Sequence, residues 1–385
     1  MNSGFSLEGG IDIELTVDQD RIVDVSITNR RPLALAARLE GLSVENALRR
    51  VGALYSVCRI AQGLASCTAV EDACGIDPSP SQKAARDLLL RGETALEHTT
   101  TALLHWPSLL GERRAAITLL KHIRLNLSEL SRSIYPDGDW ARPGGGRLTP
   151  DKTALAARLA AAQDAIGEAG LAVPLDLPGW KNWLSAAQGP AASLMRLLDR
   201  EALAGYGSSE VPPLERIDGA ELEWLLAAGD RGAFIAEPVW EGSARETGPL
   251  ARRLAEPVIR EAIALHGRGL AARFLAQCIE TVRCLEEMQQ LTSHLCNDNG
   301  QQPKVICGTG LGLVEAARGL LAHRVHIVDG SIQSYRILAP TEWNFHPNGA
   351  LCRGLKNGCD PHPARLAQFM VVALDPCVPW RIQIH

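Results

Sequence analysis

A chain of 385 residues with 46% hydrophobic and 22% charged side chains has a globular composition, neither disordered nor membrane-like, and is long enough for one large domain or two ordinary ones. Its formal charge of −5, a pI near 6.1 and the lack of any Lys- or Arg-rich run point away from a nucleic-acid partner. Aromatic residues make up only 4%, so the core must be built from Leu, Ala, Val and Ile, which favours helix packing.

In chain order, the opening MNSGFSLEGGIDIELTV has no basic region followed by an apolar stretch, so no secretory signal is expected. No segment reaches the ~18 uninterrupted apolar residues of a membrane helix. A cytoplasmic protein is expected, with its ten cysteines as reduced thiols. Residues 11–28 alternate apolar and polar around Asp18-Gln19-Asp20 and predict a β-hairpin. Segments 44–74, 80–109 and 112–134 carry apolar residues three and four apart, the helical period. The stretch 135–149, YPDGDWARPGGGRLT, reads as an irregular loop or linker. Its three glycines are no phosphate loop, because neither the Lys-Ser/Thr pair nor a preceding strand is present. Thr149 and Pro150 predict a helix start, with Thr149 as N-cap. Helical patterns follow over 150–170, 181–203 and 250–297, and Asp329-Gly330 predicts the turn of a second hairpin over 324–338. The expected fold class is α+β and mostly helical, a single domain over 1–385.

Most of the chemistry-bearing residues read blandly. Cys67, Cys74, Cys278 and Cys284 lie on apolar helical patterns and fit small core side chains. Cys352 and Cys359 have no zinc-pair spacing, and no CxxC or HExxH occurs. His323 and His326 flank a strand start and fit structural or exposed roles. Against that background several segments stand out together. They are Gly4–Gly10 (GFSLEGG), Val57–Ala65 (VCRIAQGLA), Glu246–Arg252 (ETGPLAR), Gly310–His323 (GLGLVEAARGLLAH), Pro340–Asn344 (PTEWN) and Leu374–Cys377 (LDPC).

In this order the segments resemble the nickel–iron hydrogenase large subunit. Its motifs run R-I-E-G-H, R-x-C-x-x-C-P-x-A-H-x-L-A, G-x-G-x-x-E-A-P-R-G, P-[ST]-T-W-N and D-P-C-x-x-C-x-x-H, and the likeness spans residues 4 to about 380. The resemblance implies a large-subunit-like fold, with a central helical bundle and small peripheral hairpins. It places Cys58 and Cys377 on two of the four metal-binding cysteines. Tyr55 and Trp380 stand where the other two would be, Gln62 and Gln383 where the family has histidines, and Gly10 where it has the histidine of R-I-E-G-H. Two thiolates cannot rebuild a four-sulfur nickel site, so neither nickel nor hydrogen turnover is expected.

They are adequate to anchor an iron that already carries one CO and two cyanides. By the same resemblance Arg318 and Thr341 face the cyanides, Leu321 and Ala339 wall the CO, and Glu315 orients Arg318. Glu8 matches the enzymes' proton-relay glutamate, for which a hairpin hydrogen bond is an equal reading. The chain stops at His385 with no tail for the family's maturation protease, so no nickel-checked cleavage is expected.

Within the family, the resemblance best fits the large-subunit-like hydrogenase expression and formation proteins, the HupK/HoxV type. They imply a non-catalytic scaffold that holds Fe(CN)2CO transiently. The implied partners are the large-subunit precursor and maturation proteins of the HypC and HypD type. Two rivals stay open at this point: a metal-free chaperone of the large subunit or maturation complex, and a divergent active hydrogenase.

Overall fold

The computed structural model describes residues 9–31, 34–55, 57–112, 116–228, 232–302, 307–356 and 358–385. Glu8 and the start of the Gly4–Gly10 segment lie outside the described residues. Two long helices, Pro80–Leu104 and Leu270–Ser293, pack along each other at the centre. The first begins at Ser79, whose side chain accepts from the Gln82 N–H, with Pro80 in the first turn where its missing N–H costs nothing. Small residues bring the helices close. Gly92 faces Leu130 and Met288, and a Cβ there would sit 3.1 Å from the Leu130 side chain. Helices Ile117–Ser128 and Lys152–Glu168 flank this pair.

Two three-stranded sheets complete the frame. Ile11–Asp18 and Arg21–Asn29 form the expected N-terminal hairpin. Its turn residues Gln19 and Asp20 both have positive φ, 46° and 66°, as a two-residue turn matched to strand twist requires. Trp380–Ile384 then joins this hairpin as a parallel strand beside Ile11–Leu15, a closure that nothing local in the sequence announces. The second sheet is a meander of Gly308–Ala316, Gly319–Val328 and Ser331–Leu338. The Asp329-Gly330 turn is as expected, but the hairpin over 324–338 is only part of a longer, three-stranded element.

The meander lies on helix Arg59–Cys74. Gly310 and Gly312 make that approach possible, because a Cβ at either position would collide with the carbonyl oxygens of Ala69 or Ala65. The glycine-x-glycine pattern is therefore a packing device that sets the strand leading to Arg318 directly against the helix led by Cys58.

Three sequence expectations change. The 44–74 pattern is two helices, Val44–Leu54 and Arg59–Cys74, separated by a break that contains Tyr55 and Cys58. The helix expected at Thr149 starts at Lys152, with Asp151 accepting from the Ala154 N–H. The Thr149 N–H is bound instead by the Ile134 carbonyl, which pulls the chain back towards the preceding helix. The 135–149 loop is no free linker. Arg86 donates to the carbonyls of Trp140 and Arg142, Glu71 accepts from the Gly144 N–H, and Gln82 donates to the Gly146 carbonyl. Tyr135 and Trp140 are buried. Among the described residues no helix is long and apolar enough to cross a membrane.

Candidate metal centre

Cys58 is the N-cap of helix Arg59–Cys74 and makes no side-chain cap bond. That duty falls to Glu93 on helix Pro80–Leu104, whose carboxyl accepts from the Ile60 and Ala61 N–H groups at 2.8–3.3 Å. With the helix end capped by another element, the Cys58 side chain is left to face a cavity. Burial raises Glu93 to about 8, with the Glu97 carboxyl pushing the same way and the Ala61 N–H opposing.

Cys377 follows a turn held by Asp375, the left-handed cap (φ +48°) of helix Pro363–Leu374. Asp is among the few non-glycine residues that take this conformation at modest cost. Its carboxyl accepts from the Thr101 hydroxyl at 3.0 Å, and its carbonyl accepts from Arg318 Nε at 2.8 Å. Arg318 sits in the turn between the first two meander strands and also pairs with Glu97 at 2.9 Å and the Asp375 carboxylate at 3.2 Å. Burial opposes its charge, and the two carboxylates overcome that opposition, so the guanidinium stays charged. The Thr341 hydroxyl lies 3.3 Å from Cys377 Sγ.

These side chains meet in one small inner cavity of about 20 Å³. Cys58, Cys377, Arg318 and Thr341 line it, with Leu321, Ala339, Pro340, Ala316 and Ala317 as apolar wall and Gln62 at the rim. Six of the seven residues singled out from sequence are thus brought together. Glu315 is the exception, and its expected role is corrected. Strand alternation turns it to the half-exposed face, where it pairs with Arg252 at 2.7 Å, while Arg318 is oriented by Glu97 and Asp375 instead. The Glu246–Arg252 segment is structural. Glu246 forms a buried bidentate pair with Arg273 at 2.8 Å, and the Thr247 hydroxyl accepts from the Leu320 N–H beside the Arg318 turn.

A second, more open cleft of about 40 Å³ borders the same two thiols, lined by Arg31, Tyr55, Leu35, Val57, Ile337 and Val378 among others. Trp380 and Gln383, which stand where the family has a cysteine and a histidine, lie instead on the terminal strand, and neither lines these cavities. Burial first, and then the other cysteine, hold the Cys58 thiol protonated well above its ordinary range. Loading a metal therefore releases protons.

Sequence reasoning missed a buried chain that ends on Cys58. The Gln62 amide donates to Cys58 Sγ at 3.7 Å, and its carbonyl oxygen is 2.9 Å from His323 Nε2. His323 Nδ1 in turn lies 2.7 Å from the Tyr335 hydroxyl. The Tyr335 hydroxyl donates to Ser66 Oγ at 2.7 Å. Burial, aided by the charge of Arg31, lowers His323 to about 3, and the ring is neutral. The available signal was spacing: Gln62 is one helical turn beyond Cys58 and shares its face.

The fold and the paired-thiol cavity define a nickel-dependent hydrogenase large-subunit-like protein. Residues 204–353 match the nickel-dependent hydrogenase family. The structure is similar to the Ni-Fe-Se hydrogenase of Desulfomicrobium baculatum, with a TM-score of 0.71 at 16% identity over 94% of this chain and 95% of that one. In sequence it is 31% identical to the hydrogenase expression/formation protein HupK of Rhizobium leguminosarum bv. viciae, over 98% of this chain and 97% of the relative. It is 29% identical to the hydrogenase expression/formation protein HupV of Azotobacter chroococcum mcd 1, over 98% and 99%. The chain belongs to the HupK family of hydrogenase expression/formation proteins.

Proposed function

We propose that this chain is a non-catalytic scaffold of hydrogenase maturation that holds an Fe(CN)2CO unit as cargo and delivers it to the large-subunit precursor. The observation that carries the reading is the shared inner cavity of Cys58, Cys377, Arg318 and Thr341. The donor set suits an iron whose other positions are already filled by diatomic ligands. Two thiolates anchor it. Arg318 has five N–H donors, of which three face Asp375 and Glu97, leaving two for cyanide nitrogen. Thr341 offers one hydroxyl, and Leu321 and Ala339 give the CO a dry wall. Among the described residues no cluster of three or more His, Cys, Asp or Glu side chains is arranged to hold a bare ion. The residues do not fit nickel, which in the family takes four thiolates.

A carrier must release its cargo, and removing two of four thiolates weakens the hold in the right direction. The donor would be maturation proteins of the HypC and HypD type, and the setting the cytoplasm.

Infrared spectroscopy tests this on protein purified without air from a host with intact maturation genes. Cyanide and carbonyl stretches are expected in the native protein, and Cys58→Ser or Cys377→Ser should remove them. Full band intensity in both variants would sink the assignment.

A further inference from the structure

The two cavities differ most in the charge they turn towards the sulfurs. In the open cleft the wall nearest Cys377 carries Arg31, whose guanidinium grips both oxygens of Glu342 at 2.7 and 2.9 Å. The backbone N–H of Arg31 is held by the Asn29 side chain at 3.0 Å. Glu342 is wholly buried behind it, tied to the Ala339 N–H at 2.9 Å, and does not line the cleft. The pair is therefore presented with its positive end forward. Burial opposes the charge on Arg31, and Glu342 and then Cys377 sustain it. Beside it stands Tyr55, with burial raising its phenol to about 12, so it offers a neutral hydroxyl and no soft anion. Both features fall where the chain departs from the enzymes' pattern: Glu342 replaces the threonine of P-[ST]-T-W-N, and Tyr55 replaces a thiolate.

Charge decides what such a wall accepts. Two thiolates alone are stabilised by a guanidinium, and a bare divalent ion that neutralises them forfeits that stabilisation. Two thiolates with a ferrous ion and two cyanides make a dianion, which a fixed cation stabilises, and the more so in a poorly solvated site. We infer that Arg31, locked by Glu342, is the selectivity residue that makes the two-thiol pocket reject bare divalent metal ions, nickel among them, in favour of a cyanide-bearing iron. The inference rests on the reading of Cys58 and Cys377 as the iron-binding pair.

The test is an anaerobic titration with Ni2+ against a chromophoric chelator, following thiolate-to-metal charge-transfer absorption. It compares the native chain with Arg31→Met/Glu342→Gln, which removes the pair together and strands no buried carboxylate. The double variant should bind Ni2+ roughly tenfold more tightly, the factor that ~1.4 kcal/mol supplies. Arg31→Lys, which keeps the charge, should stay near the native value. The gain should vanish when Cys58→Ser and Cys377→Ser are added. Equal affinities of the native and double-variant chains, or a gain that survives loss of the cysteines, would overturn the selectivity role. Infrared bands are read on the same preparations. Bands present with equal affinities remove the selectivity role alone, whereas bands absent throughout remove the iron reading beneath it.

Discussion

The inner cavity and the outer cleft share Cys58, Gln62 and Cys377, yet their other walls have opposite histories. The inner wall keeps the arginine, hydroxyl and apolar residues of the large-subunit pattern at Arg318, Thr341, Leu321 and Ala339. The outer wall has a tyrosine for a cysteine and an arginine–glutamate pair that the enzymes' motif does not contain. Divergence is thus heavier on one side of the pair of sulfurs, although Gln62, which borders both cavities, and Ala317 on the inner wall also depart from the enzymes' pattern.

The largest effect should come from Arg318→Leu. It strands Asp375 and Glu97, both nearly buried, and removing one partner of such a pair costs about 3–5 kcal/mol. Denaturant unfolding should show that loss, together with loss of the infrared bands. On the outer wall, Arg31→Met/Glu342→Gln deletes both partners and should change stability far less, since replacing a buried pair outright is often near neutral. Equal destabilisation by the two changes would erase the contrast. Leu321→Ala comes next, at about 2–5 kcal/mol for a fully buried leucine, whereas Val57→Ala, 39% exposed on the outer side, should stay within about 0.5 kcal/mol. A shifted carbonyl stretch in Leu321→Ala but not in Val57→Ala would locate the CO on the inner wall.

The third prediction concerns pH. His323, neutral in the fold and lowered to about 3, titrates near 6.5 when unfolded. A depressed folded value means that its share of stability is present above about pH 6.5 and is lost as pH falls towards 3. The slope from this group is up to about 1.4 kcal/mol per pH unit. Unfolding midpoints measured from pH 7 to pH 4 should fall for the native chain and fall less steeply for His323→Phe. Parallel curves would mean that the ring is not buried neutral.

Much of this arrangement could be read from the chain, and what could not has a common cause. Turn chemistry at Asp18–Asp20 and Asp329-Gly330 is local, and both hairpin turns form where expected. Motif order singled out Cys58, Cys377, Arg318 and Thr341, and the fold brings these four to one cavity. The break before Cys58 was not legible, since its stabilising partner, Glu93, lies on another helix. Thr149 looked like a cap until the Ile134 carbonyl claimed its N–H. Glu315 was misread because its strand turns it to Arg252, a residue distant in sequence, while Arg318 lies in the turn beyond that strand. Arg31 and Glu342 come from opposite ends of the chain, and neither has a neighbour in sequence that announces the other.

Gln62 belongs to both cavities, and changing it should give the smallest effect of the four while asking the sharpest question. Gln62→Leu keeps the size of the side chain but removes the donor to Cys58 and the acceptor for His323. The buried His323 Nε2 would then lack a partner, which costs about 1–3 kcal/mol. That cost should appear in denaturant unfolding whatever the pocket holds. The effect on Cys58 is separable. The amide N–H stabilises sulfur as an anion more than as a thiol, so its loss should weaken iron retention without removing either thiolate. The infrared bands are therefore expected at reduced intensity, between the native chain and Cys58→Ser. If Gln62→Leu destabilises the fold but leaves the bands at full strength, the buried chain from Ser66 to Gln62 supports the helix rather than the sulfur, and the tuning of the site lies with Arg318 and Thr341 on the inner wall.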